Sequence, residues 1–126
     1  MMRLGIVICH GKLAFELLHT VECLVGRFEN VLAFSNDGVA PQTLFEQVVE
    51  AVHTRQAREL LILVDLRGGN CWRIGKMLER EFEKTHVVSG VNVPMVISFI
   101  TKQAGLSFEE LSRTVEQDGH RGILLE

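Results

Sequence analysis

Two short segments carry most of the side chains with chemical capability. His10-Gly11 follows the apolar run Leu4–Cys9, and Asp65 follows the run Glu59–Val64, with Gly68-Gly69-Asn70 just behind it. A carboxylate on one imidazole nitrogen fixes the tautomer and leaves the other nitrogen neutral and nucleophilic. A Gly-Gly pair leading into a helix offers unpaired backbone N–H groups and the positive end of the helix dipole, which suit a phosphoryl group. Together these residues read as a nucleophilic histidine (His10), an orienting aspartate (Asp65) and an anion cradle at the glycine pair (Gly68, Gly69). Each has a plainer reading: a solvated strand-end histidine, an aspartate capping the next helix, a glycine pair serving only its turn. What joins them is a shared edge of one sheet.

That edge requires an alternation of strands and helices. Leu4–Cys9 is a continuous apolar run, the pattern of a strand buried on both faces, and Asn30–Phe34, Glu59–Val64 and His86–Val91 read as three more strands. Between them the period changes. Leu13, Leu17, Val21, Leu24 and Val25 form one helical stripe, with Gly26 as its C′ residue. A second stripe is Leu44, Phe45, Val48, Val49 and Val52, entered through Pro41. Trp72, Gly75, Leu78 and Phe82 form a third, and Pro94 starts a short apolar helix. Ser107-Phe108-Glu109-Glu110 is a capping box for the last helix, with Leu106 and Leu111 as its hydrophobic staple and Gly119 and Gly122 at its end. Ile123–Leu125 reads as a final strand. The expectation is an open, doubly wound α/β fold: a mainly parallel sheet of about four strands with helices on both faces. In such sheets ligands bind outside the carboxyl ends of the strands, where connections diverge. If strands one and three are neighbours, His10 and Asp65 meet there.

Composition sets the outer bounds. The 126 residues suffice for a single domain, taken as 1–126, and 47% apolar with 23% charged residues suits a globular chain. A net charge of −3 with no basic cluster gives no nucleic-acid or anionic-lipid signature. Mean hydropathy is +0.19, yet the longest apolar runs, Gly5–Cys9 and Leu60–Val64, fall far short of the roughly 18 residues of a spanning helix. The start reads as a strand and not a signal peptide. Three widely spaced cysteines (Cys9, Cys23, Cys71) without a C-x-x-C fit a reducing, cytoplasmic compartment.

Other motifs are set aside. Gly75-Lys76 is no P-loop, because Asn70 and Met77 stand where that motif needs Gly and Ser or Thr. Cys9 and His10 are strand neighbours pointing to opposite faces, so they make no metal pair, and neither a metal nor another cofactor is expected. Cys71, near a helix N-terminus, is either a reactive thiol or a small buried residue. His19, His53, His86 and His120 lack a shared carboxylate and read as surface residues. Trp72 belongs either to the core or to a partner contact beside the Gly-Gly loop, and Arg67 either adds charge there or points to solvent.

Three segments carry a resemblance: Gly5–Ala14 with its Cys9-His10-Gly11, Val64–Gly69 with its Asp65 and Gly68-Gly69, and Gly90-Val91-Asn92-Val93-Pro94-Met95. In order and spacing the chain resembles, nearly end to end, the IIA domain of the mannose/fructose-type phosphotransferase system. The resemblance implies a phosphotransferase that carries phosphoryl groups for sugar transport. The histidine matching His10 takes the group from the phosphocarrier HPr and passes it to a IIB domain. The aspartate matching Asp65 hydrogen-bonds that histidine, and the loop matching Gly68–Asn70 receives the phosphoryl oxygens. It further implies a homodimer in which the C-terminal strand, here Gly122–Leu125, crosses to the partner's sheet. The chain departs from the family pattern at Cys9, where Ser is common, and at Asn70-Cys71-Trp72, where Ser-Pro-Phe is usual. Three other roles fit the same residues: a regulator whose partner affinity depends on the state of His10, a phosphoryl donor to a dihydroxyacetone kinase complex, and a binding module without transfer.

Overall fold

The computed structural model describes residues 2–126. Among them strands and helices alternate as β1 (Met2–Cys9), α1 (Leu13–Val25), β2 (Val31–Ser35), α2 (Pro41–Arg55), β3 (Ala57–Val64), α3 (Asn70–Glu81) and β4 (Thr85–Ser89), followed by α4 (Val93–Lys102) and α5 (Phe108–Arg121). The strands form one sheet in the order β2-β1-β3-β4, and every neighbouring pair is parallel. Strand limits fall within a residue or two of the sequence-based ones. No helix among the described residues is long and apolar enough to cross a membrane.

Handedness decides where the helices go. Parallel crossovers are right-handed, and this chain steps outward from β1 to β2, then reverses over β1 to β3 and on to β4. α1 must therefore lie on one face and α2 and α3 on the other. The packing follows. Val7, Cys9, Leu61 and Leu63 pack with Ala14, Leu17 and Val21 of α1 and with Met95, Val96 and Phe99 of α4. Leu4, Ile6, Ile8, Leu60, Ile62 and Val64 pack on the opposite face with residues of α2 and α3. Because the direction reverses between β1 and β3, their carboxyl ends send connections opposite ways and leave a crevice.

The string Gly90–Met95 builds architecture. Asn92 caps α4, its Oδ1 accepting the Met95 N–H at 3.1 Å, while its Nδ2 donates to the Gly119 carbonyl at 3.1 Å. That bond ties α4 to α5 through one side chain. The capping box of α5 forms in both directions, between Ser107 and Glu110.

Several expectations are corrected. Gly119 does not end the last helix; it lies buried within α5, where a Cβ would stand 2.6 Å from Met95 Cγ, so its role is close helix approach. Ile123–Leu125 forms no strand here; these residues follow α5 without regular structure, and all three side chains are exposed. The stripe assigned to α1 is rotated. Ala14, Leu17 and Val21 are buried, whereas Leu13 and Leu24 are 44% and 63% exposed, since helical period alone does not separate core from surface apolar positions. His86 does have a carboxylate partner, Glu109 at 2.8 Å, and its ring stacks on Phe108. Trp72 is half-buried, packing on the α2/α3 side.

Gly5 marks a close approach inside a buried strand. A Cβ there would meet the Phe99 ring at 3.0 Å and Val31 Cγ2 at 3.3 Å. Gly5→Ala should destabilise the fold by about 1–3 kcal/mol through overpacking, read as a lowered urea midpoint at unchanged slope.

Candidate functional site

The register of the sheet brings the pair together. Ile8 of β1 stands opposite Val64 of β3, so the next residues leave the sheet side by side. The Asp65 Oδ2 accepts two hydrogen bonds from His10, one from its backbone N–H and one from ring Nδ1, each at 2.9 Å. Its Oδ1 accepts the Leu66 N–H at 2.9 Å. The carboxylate is thus an orienter for His10 and a lock on its own loop at once. With Nδ1 engaged, Nε2 is the free ring nitrogen. The His10 side chain is 43% exposed and that of Asp65 only 13%, so the carboxylate is screened and the ring is open to solvent.

The glycine loop closes on the far side of the ring. Gly68 has φ +89°, a left-handed conformation that side chains rarely adopt. At Gly69 the constraint is proximity, because a Cβ would lie 3.2 Å from His10 Cε1 and 3.6 Å from Nε2. Helix α3 starts directly after it, and its first backbone bond runs from the Arg73 N–H to the Gly69 carbonyl at 3.0 Å. The amides of Asn70, Cys71 and Trp72 therefore lack helical acceptors at the start of α3, directly after Gly69. Asn70 is exposed, its Oδ1 3.4 Å from Arg73. Arg67 lies over the Trp72 ring, 5.7 Å from its centroid, which gives the guanidinium a partner of its own beside the loop.

Of the residues singled out in the sequence, the structure brings His10, Asp65 and Gly69 together, and Gly68 and Asn70 flank Gly69 in the chain. Sequence reasoning missed two features. Cys71 is fully buried beneath the ring, with Sγ 3.8 Å from His10 Nδ1, so His10, Asp65 and Cys71 form a donor cluster, the one of its kind among the described residues. Its position at the start of α3, right behind the glycine pair, was the available signal. Second, Leu13, Phe15 and Leu66 form an exposed apolar rim at the same sheet end, 44%, 49% and 62% accessible. Beside it a groove of about 510 Å³ is lined by Gly11, Phe15, Phe34 and Val39.

The electrostatics follow from burial and hydrogen bonding. Partial burial opposes ionisation of Asp65, but the bonds from the His10 amide and ring and from the Leu66 amide outweigh it and hold the carboxyl below its ordinary range. Burial pushes the Cys9 and Cys71 thiols up, to about 12 and about 11, with the charge of Asp65 adding to both.

The family model described as "PTS system fructose IIA component" matches residues 5–116. The chain is 32% identical, over 97% of its length, to the "PTS system mannose-specific EIIAB component" of Escherichia coli (strain K12), and spans 39% of that protein. It is 26% identical to the "PTS system fructose-specific EIIA component" of Bacillus subtilis (strain 168), covering 81% of this chain and 71% of that one. Among solved structures, the phosphotransferase system component EIIA from Streptococcus agalactiae superposes with a TM-score of 0.90 at 24% identity, over 98% of this chain and 96% of that one. The mannose/sorbose specific IIA subunit from Enterococcus faecalis gives 0.82 at 21% identity, over 100% and 96%. These last two likenesses speak to the fold.

Because the Asp65 carboxyl is depressed in the folded state, the stability it contributes is complete above its unfolded pKa of about 3.9 and is lost as pH falls through the lower folded value. Asp65→Asn should flatten the acid limb of stability against pH in that window, measured by urea unfolding at a series of pH values.

Proposed function

The chain belongs to the fructose IIA component family of the phosphotransferase system, of the mannose/fructose type, and on that premise we propose that residues 1–126 act as a single phosphocarrier domain. His10 accepts a phosphoryl group from phospho-HPr and passes it to a IIB domain, in the cytoplasm and in the service of sugar transport. The observation that carries this reading is the 2.9 Å bond between His10 Nδ1 and Asp65, which leaves Nε2 as the open nitrogen of a half-exposed ring.

The step asks little of the protein beyond placement and charge. The Nε2 lone pair attacks phosphorus as the phosphorus–nitrogen bond of the donor's histidine breaks, and the donor ring leaves with that electron pair. Positive charge spreads across the His10 ring toward Nδ1, whose proton stays in place against the Asp65 carboxylate. The phosphoryl oxygens take the amides at the start of α3, with Gly68, Gly69 and Asn70 forming the cradle. The reverse attack by an acceptor on a IIB domain returns His10 to its starting state.

A protein donor needs a surface to land on, and the exposed Leu13, Phe15 and Leu66, which follow the ends of β1 and β3 in the chain, offer apolar area for it. The chain also forms a homodimer on this reading. β4 is an edge strand with an unpaired outer side, and the exposed residues Ile123–Leu125 of a second copy add to it as a short strand.

Incubation with phosphoenolpyruvate, enzyme I and HPr should yield one acid-labile phosphoryl adduct by intact mass, absent in His10→Ala. An adduct persisting in His10→Ala, or none in the unaltered chain, refutes the carrier role. Gly69→Ala, which brings a methyl group against the ring, should slow uptake by up to about 100-fold while preserving the fold. Removal of residues 122–126 should shift the sedimentation coefficient from dimer to monomer.

A further inference from the structure

We propose that His10, Asp65 and Cys71 constitute a binding site for a soft divalent cation of the Zn2+ or Cd2+ class, and that occupancy of this site excludes phosphoryl uptake. The exclusion rests on the carrier reading; the site itself does not.

The donors come from three elements: His10 from the end of β1, Asp65 from the end of β3, and Cys71 from the first turn of α3. One nitrogen, one oxygen and one sulfur donor lie within 4.8 Å of one another, with Nδ1 2.9 Å from Asp65 Oδ2 and 3.8 Å from Cys71 Sγ. Tetrahedral zinc holds N, O and S ligands at about 2.0–2.3 Å, which places them roughly 3.3–3.8 Å apart. The three donors therefore close on a central ion with shifts of about an ångström or less. Three protein ligands leave a fourth, tetrahedral position for a water ligand. The thiolate and imidazole favour Zn2+ and Cd2+ over Mg2+ and Ca2+, which prefer all-oxygen shells.

Binding changes the protons at the site in a defined way. The Cys71 thiol loses its proton to solvent, and the ring proton on Nδ1 moves through solvent to Nε2. The net release is one proton, taken up by buffer. The ring now gives its Nδ1 lone pair to the metal and carries a proton on Nε2, so the nitrogen that would attack phosphorus has no lone pair to offer. Burial, with the charge of Asp65 added, holds the metal-free thiol protonated, pushed up to about 11; a bound cation offsets that charge. Neither Cys9, which points to the opposite face of the sheet, nor the exposed Cys23 on α1 belongs to the cluster.

Cd2+ titrated into the full chain tests the site through the ultraviolet thiolate-to-cadmium charge-transfer band. The band should saturate at one equivalent, and Cys71→Ser and Asp65→Asn should lower the affinity by about 100-fold or more. Cys23→Ser and Cys9→Ser should keep it, with far-UV circular dichroism and a thermal melt confirming that each variant is folded. A band that survives in folded Cys71→Ser, or that vanishes in Cys23→Ser, overturns the site. Protein loaded with one equivalent of Zn2+ and desalted should take up phosphoryl groups from phospho-HPr at least about tenfold more slowly, with EDTA restoring the rate. Undiminished uptake overturns the exclusion. Metal-free protein that takes up no phosphoryl group overturns the carrier reading instead, and the cadmium band then decides the site alone.

Discussion

Asp65 accepts two hydrogen bonds from a single residue, the amide and the ring of His10, and a third from the amide that follows it. This small cross-link between the ends of β1 and β3 sets the direction of the imidazole, selects its proton-bearing nitrogen and pins the loop that approaches it. Everything at that end of the sheet is arranged around it. The glycine pair exists in its present form because the ring is so near: one glycine turns the chain left-handed, and the other leaves room for Cε1. The pairing in turn depends on a topological reversal, since only where connections diverge do two strand ends stand side by side with no crossover above them.

The parts legible in the sequence were those encoded locally. Continuous apolar runs marked β1 and β3, the Ser107 capping box marked the start of α5, and polar residues placed directly after apolar strands marked the sheet edge. What escaped was encoded across elements. Gly119 looks like a terminator when read along the chain, and only the approach of Met95 from α4 shows why it has no side chain. Cys71 sits 61 positions from His10, and its place beneath the ring depends on how α3 leaves the loop. Leu13 satisfied a helical stripe and yet faces solvent, because periodicity counts apolar residues without knowing whether the surface they serve is the core or a rim. Ile123–Leu125 has the composition of a strand, yet within the chain it follows α5 without regular structure.

The string Gly90–Met95, among the most recognisable in the chain, supports the fold behind the site: the Val91 N–H donates to the Val64 carbonyl, next to Asp65, at 3.0 Å. Its asparagine caps one helix and holds another, and its methionine fills the gap left by Gly119. One of the three segments that carry the resemblance thus lies in a joint between α4 and α5, while the residues next to His10 also include the chain's own departures, Cys9 and Asn70-Cys71-Trp72.

The two strands that end in His10 and Asp65 are the central pair, hydrogen-bonded on both sides and apolar on both faces, whereas β2 and β4 are half-buried edges. Opening of such inner strands costs nearly as much as unfolding the whole domain, while edges and tails fray at far lower cost. The imidazole's setting therefore has no private route to disorder. Fluctuation of the rim, the tail or an outer strand leaves it standing, so the accessible face can be soft and variable around a point that holds still.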